Sequence, residues 1–153
     1  MRAVDAGSPA PYNNTYTGLK VEAMIADVFK ALAEESRIRI VHLLTGRELC
    51  VCEIETILDM TQSNASRHLN ILRGAGIVSV KKESQWAYYS ISRDFIEDHR
   101  KLYEYLCENM RGDVLALDAQ KLDAYFRGGY NCRNIQANRR AVREAIRRPR
   151  RQE

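Results

Sequence analysis

Between residues 54 and 91 the apolar pattern is broken once and then changes period, and nothing else in the chain restricts its fold so strongly. Ile54, Ile57 and Leu58 recur at helical spacing after Cys52, and the polar run Thr61-Gln62-Ser63 then interrupts the pattern. Leu69, Ile71 and Leu72 resume it as expected core positions, before Gly74 and Gly76 supply a stop. Ser63 is the expected cap of this second helix. The period next falls to two. Residues 77–81 and 86–91 are rich in β-branched and aromatic side chains, with Lys82-Glu83-Ser84-Gln85 between them as a turn. Two short helices across a tight polar break, followed at once by a hairpin, predict a mainly α chain with a β-hairpin wing, that is, a winged helix-turn-helix. Because two strands alone are marginally stable, the hairpin must lean on the helices.

The flanks are helical as well. Val21, Met24, Ile25, Val28, Phe29 and Leu32 form one stripe, and Ser36 is placed to cap a helix carrying Ile38, Ile40, Val41, Leu43 and Leu44, closed by Gly46. Asp94 is the expected cap of a long helix reaching Arg111, with Phe95, Leu102, Tyr103, Leu106 and Met110 apolar. Another helix runs from Asp118 through Leu122, Tyr125 and Phe126 to Gly128-Gly129. The expected organisation is a flexible arm over 1–18, a DNA-binding and dimerisation domain over 19–111, and a helical extension over 112–130. Residues 131–153 are expected to be a basic tail, disordered or a frayed helix, because 134–153 offer only Ile135, Val142 and Ile146 for burial.

A length of 153 residues with 45% hydrophobic content suffices for one core and excludes a large multidomain enzyme. The net charge is +4, unevenly spread: from Arg127 onward there are nine arginines against Glu144 and Glu153. Overall charge decides little, since local contacts to phosphates release the counterions. No signal sequence or membrane-length apolar run is visible, so a soluble, cytoplasmic protein without a membrane partner is expected. Cys50, Cys52, Cys107 and Cys132 are too few and too uneven for a secreted disulfide framework, and reduced thiols are expected.

A helix that enters the major groove reads base edges with polar side chains near its N-terminal end. Gln62, Ser63, Asn64, Ser66, Arg67 and His68 are the candidates: Gln and Asn pair with adenine, Arg with guanine. Lys81 and Lys82 on the wing are placed to hold the flanking backbone. The alternative is the solvated face of an ordinary helix, but the order of break, cap, stop and hairpin favours operator double-stranded DNA. Specific affinity normally requires a two-fold dimer. Phe95, Leu102 and Leu106 of the 94–111 helix, helped by the 19–33 helix, are the candidate interface of a homodimer; otherwise they belong to the protomer's own core.

Cys50 and Cys52 are poor disulfide partners, and a Cys-x-Cys pair in a reducing compartment points to soft-metal or redox chemistry. Residues two apart on a helix point roughly 200° from each other. Joint binding is therefore expected to unwind the start of the helix and so pull on the DNA-reading pair.

The run Glu48-Leu49-Cys50-Val51-Cys52-Glu53-Ile54, with Gln62-Ser63-Asn64-Ala65-Ser66-Arg67-His68-Leu69 and Leu72-Arg73-Gly74-Ala75-Gly76-Ile77-Val78, strongly resembles the ArsR/SmtB metalloregulators, above all arsenite-responsive ArsR repressors. Ala31 to Ile40 is also similar to that family's entry into the second helix. The resemblance covers about residues 24–106 and implies a homodimeric winged-helix repressor, not an enzyme, that leaves its operator when As(III) or Sb(III) binds the cysteines; it implies no organic cofactor. Cys50 and Cys52 match the inducer thiols. Glu55 stands where some members carry a third cysteine, so the third ligand is left to Cys107 or Cys132, or to a small molecule completing a two-thiolate site. His99 has Glu97 and Asp98 beside it, but Met110 stands where the zinc-sensing relatives want a second histidine, which disfavours zinc. The rivals are a thiol redox switch, a cadmium or lead sensor, a thiol-dependent enzyme, and a protein or RNA adaptor working through the arginine tail.

Overall fold

A computed structural model of the chain describes residues 18–147. The arm expected over 1–18, save Gly18, and the last six residues of the tail lie outside the described residues. Helix α1 (Gly18–Leu32) is followed by α2 (Glu35–Leu44), a short strand β1 (Leu49–Cys50), α3 (Val51–Leu58) and α4 (Gln62–Gly74). The hairpin β2 (Val78–Glu83) and β3 (Trp86–Ile91) comes next, then α5 (Arg93–Asp98), α6 (Arg100–Asn109), α7 (Asp113–Arg127) and α8 (Cys132–Arg147).

The central unit is the expected helix pair and wing, with local corrections. Glu34, not Ser36, caps α2: its carboxylate accepts from the Arg37 N–H at 3.0 Å. Thr61, not Ser63, caps α4. It is the last residue with extended backbone, and its hydroxyl accepts from the Asn64 N–H at 3.3 Å, while Ser63 already lies inside the helix. Ala65, Leu69 and Leu72 of α4 are buried, but Ile71 is exposed. The wing turn contains only Ser84 and Gln85, because Lys82 and Glu83 remain in β2 opposite Ala87 and Trp86. In the absence of a glycine, Ser84 takes the left-handed backbone itself, with φ of 53°. The hairpin leans on the helices through buried Ile77, Val78 and Ile91, and the Ser92 N–H donates to the Ile77 carbonyl at 2.9 Å.

Strand β1 has no counterpart in the sequence reading. It adds to the outer edge of β3, pairing Leu49 with Tyr89 and Cys50 with Tyr88, so the sheet order is β1-β3-β2. Its register places Cys50 immediately before α3 with extended backbone.

The region after the wing departs further from expectation. The helix expected from Asp94 to Arg111 is two helices, with Ser92 rather than Asp94 at the N-cap position of the first and a break at His99. Phe95 and Leu106 are buried within the protomer's core and Leu102 is half-buried; the structure therefore places these expected dimer contacts on the inner face. Apolar side chains left outside include Ile25 and Phe29 on α1, one turn apart, and Tyr105 on α6, with Phe29 57% and Tyr105 62% exposed. Helix α7 begins at Asp113, five residues before the expected start.

The largest correction concerns the basic tail. Residues 132–147 form α8, interrupted by a kink at Asn138, and Cys132, Ile135, Val142 and Ile146 are buried in the same core as α3. Burial of Ile135, Val142 and Ile146 at about 1.5–3 kcal/mol each opposes fraying, and Arg139, Arg143 and Arg147 pair with Glu55 of α3 and with Asp59 at its end rather than being left to solvent.

Candidate metal centre and DNA-facing surface

Three elements bring three thiols together. Cys50 ends β1, Cys52 lies in the first turn of α3, and Cys132 opens α8. All three are buried and their sulfurs lie within 4.8 Å of one another. Cys50 Sγ touches both other sulfurs, and Cys52 Sγ to Cys132 Sγ is 2.9 Å. One sulfur forms only one bridge, and the Cys50 and Cys132 Cα atoms are 7.6 Å apart, beyond the usual disulfide reach of about 7 Å. The arrangement is a thiol cluster. Sulfur–metal bonds of about 2.3 Å allow one soft ion to span such separations, so the donor set fits a thiophilic ion. Cys107, the other candidate, is exposed on α6 and outside the cluster.

This geometry overturns the expected unwinding. Cys50 is not on the helix: it precedes α3 in extended conformation, so its side chain and that of Cys52 converge with α3 intact. The Cys50 N–H donates to Glu53 Oε2 at 2.8 Å, while the Tyr125 hydroxyl donates to Glu53 Oε1 at 2.8 Å. Asn131 accepts from the N–H groups of Arg133 and Asn134 and so starts α8 at Cys132. The N-terminal ends of two helices thus face the sulfurs, and their dipoles favour thiolate.

Glu55, on the α3 face shared with Cys52, is only 1% exposed, and its Oε2 meets Arg139 at 2.9 Å. Burial pushes its carboxyl above the usual range, against the pull of Arg139 and Arg143. At the other end of α3, Asp59 takes the left-handed conformation (φ 56°) and binds Lys121 at 3.1 Å and Arg147 at 2.8 Å. Burial raises its carboxyl, but these two cations outweigh that and hold it below the usual range. Neither these arginine partners nor Cys132 is visible from the helix-turn-helix segment alone; the signal that α8 exists is the 132, 135, 142, 146 spacing of its apolar residues.

On α4, Gln62, Ser63, Asn64 and Arg67 are exposed and Ser66 is half-exposed, on the side away from Ala65, Leu69 and Leu72. Lys81 and Lys82 are exposed on β2, where Lys81 contacts Glu83. His68 departs from the expected set: it is 6% exposed and its Nδ1 lies 3.6 Å from Glu34, so it faces the interior and cannot read a base edge.

Burial holds His68 and His42 below the ordinary histidine range; the Arg67 and Arg37 charges add to this at His68 and Glu34 opposes it. A lowered folded value means that stability is fully present above the unfolded value, about pH 6.5, and is lost as pH falls through the folded value. The melting temperature should therefore drop on acidification below that pH, and His68→Gln should flatten the drop. An identical slope in the variant would remove His68 as its source. Glu55, raised, has the opposite sign, because its contribution is lost as pH rises through its folded value.

Residues 34–80 match the family model described as bacterial regulatory protein, arsR family. The chain is 36% identical over 74 residues to a cadmium resistance transcriptional regulatory protein CadC homolog of Staphylococcus aureus, covering 48% of this chain and 61% of that protein. It is 46% identical over 66 residues to the arsenical resistance operon repressor of Escherichia coli, covering 42% and 56%. To an uncharacterized HTH-type transcriptional regulator of Methanocaldococcus jannaschii it is 40% identical over 82 residues, covering 53% and 92%. The chain thus spans a little under two thirds of the cadmium and arsenical regulators. Among solved structures, a homodimeric winged helix-turn-helix DNA-binding domain from Mycobacterium bovis, a possible ArsR-family transcriptional regulator, superposes with a TM-score of 0.54 at 27% identity, covering 63% of this chain and 90% of that one. The fold is a winged helix-turn-helix, and the chain belongs to the ArsR family of bacterial regulatory proteins.

Proposed function

We propose that this protein is a homodimeric transcriptional repressor that holds operator DNA with α4 and the wing and releases it when trivalent arsenic or antimony is bound by Cys50, Cys52 and Cys132. The observation that carries this reading is the buried three-sulfur cluster, a donor set suited to a soft ion that takes three thiolates. Gln62, Ser63, Asn64, Ser66 and Arg67 meet base edges and phosphates, and Lys81 and Lys82 the flanking backbone. The exposed apolar residues Ile25 and Phe29 of α1, with Tyr105 of α6, support self-association better than the inward Phe95 and Leu106 do. The likeness to both an arsenical and a cadmium regulator supports metal response, and cadmium is the second reading, since it also favours thiolates.

The test is to titrate arsenite, antimonite, cadmium and peroxide into the protein bound to its own upstream DNA. Arsenite should release it and peroxide should not. Cys50→Ser and Cys52→Ser should each bind DNA as the unsubstituted protein does and stay bound in arsenite. Release by cadmium alone would move the assignment to the second reading.

A further inference from the structure

Helix α8 touches α3 at both ends. Its first residue supplies the third sulfur, beside Cys52 in the first turn of α3. Its far half grips the other end. Arg143 Nη2 donates to the carbonyls of Glu55 (2.9 Å) and Met60 (3.0 Å), and its Nε lies 3.6 Å from Asp59. Arg147 donates to both Asp59 oxygens, at 2.8 and 3.3 Å. Arg139 fixes the middle through Glu55. The two helices therefore run parallel, joined by sulfur at one end and by guanidinium groups at the other. Asp59 and Met60 are the whole connection from α3 to Thr61, the cap of α4. Two residues cannot absorb a displacement of the turn without passing it to the start of the DNA-facing helix.

We infer that α8 is a strap that carries the state of the sulfur cluster to α4, with Arg143 and Arg147 as positioning residues of the response. This rests on the metalloid reading of the cluster. An ion bound by Cys50, Cys52 and Cys132 sets the spacing of β1, α3 and α8 around itself, because each sulfur is held at bonding distance. Since α3 stays helical with the sulfurs already together, the change in spacing is expressed in how α8 seats on α3, and the arginines hold the α3–α4 turn to that seating. The sulfur cluster and the turn are two sites biasing one packed element, which is what a coupling free energy requires.

The experiment measures operator affinity with and without arsenite, together with arsenite affinity from sulfur-to-arsenic absorbance, for the full chain and for Arg143→Gln/Arg147→Gln. The full chain should lose operator affinity in arsenite. The double variant should bind arsenite and, without arsenite, operator within about threefold of the full chain, while the arsenite-induced loss of operator affinity shrinks by about tenfold or more, within the range typical of allosteric coupling. Arg147→Gln alone, at a half-exposed position that does not endanger the core, should shrink it in part, and Arg147→Lys should restore it; this pair decides the matter if the double variant fails to fold. An undiminished arsenite effect in a folded variant that still binds arsenite overturns the strap and leaves the metalloid reading standing. A full chain that binds arsenite and keeps its operator removes the reading itself, and the strap with it.

Discussion

Cys132→Ser should weaken arsenite binding by at least about 100-fold and leave operator affinity without arsenite at the level of the unsubstituted protein. Groups that only orient metal ligands are typically worth about 10–100-fold in affinity, and a ligand should be worth no less. Cys132 is buried with its sulfur 2.9 Å from Cys52, whereas the α4 residues proposed to meet DNA lie outside the cluster. Cys107→Ser is the matched control: an exposed thiol on α6 that should alter neither measurement. Titration of both variants by absorbance and by operator retention checks the pair. Equal losses in the two, or a loss confined to Cys107→Ser, would take the third sulfur away from α8.

The second large effect is on stability. Asp118 of α7 is buried and receives two hydrogen bonds from Arg39 of α2, at 2.7 and 2.9 Å. Asp118→Ala leaves a largely buried guanidinium without its partner, a class of change that costs about 3–5 kcal/mol. The Arg39 side chain keeps 19% of its exposure, so the lower end applies. For a chain of this size that corresponds to a fall in melting temperature of roughly 6–12 °C. Arg39→Met/Asp118→Leu should recover most of the loss, since an apolar pair of similar volume avoids the desolvation that the ion pair must offset. Calorimetry on the three proteins suffices. A double variant as unstable as Asp118→Ala would mean that geometry, not charge burial, sets the cost.

The helix pair and wing were legible because local signals agree there: the polar break at Thr61, the stop at Gly76 and the switch of period at Ile77 bracket a single helix and point to the same fold. The errors lie where the deciding partner is distant or the local signal is ambiguous. Strand β1 is two residues long and exists only because β3, almost forty residues later, offers Tyr88 and Tyr89 as an edge. That pairing keeps Cys50 off the helix, and without it the Cys-x-Cys spacing suggests two thiols pointing apart. His68 falls at helical spacing from Ala65 and Leu72 and so turns inward with Leu69, although Arg67 just before it is exposed. The break at His99 has neither glycine nor proline to mark it. Helix α8 is the least legible element, because Arg139, Arg143 and Arg147 read as part of a solvated run unless Glu55 and Asp59, over eighty residues away, are seen to receive them.

The separation of the thiols along the chain has a consequence for folding. Cys52 and Cys132 are 80 residues apart, so an ion grasped by both closes more than half of the polypeptide into a ring. If such a ring persists in the denatured chain it restricts that chain as a crosslink does, on the order of 4 kcal/mol in the chain-entropy account. If the denatured chain lets the ion go, mass action favours the folded form instead. In both cases the occupied molecule resists heat and proteases better than the empty one, so the protein is expected to become more durable in the very state that the proposed function assigns to release from the promoter.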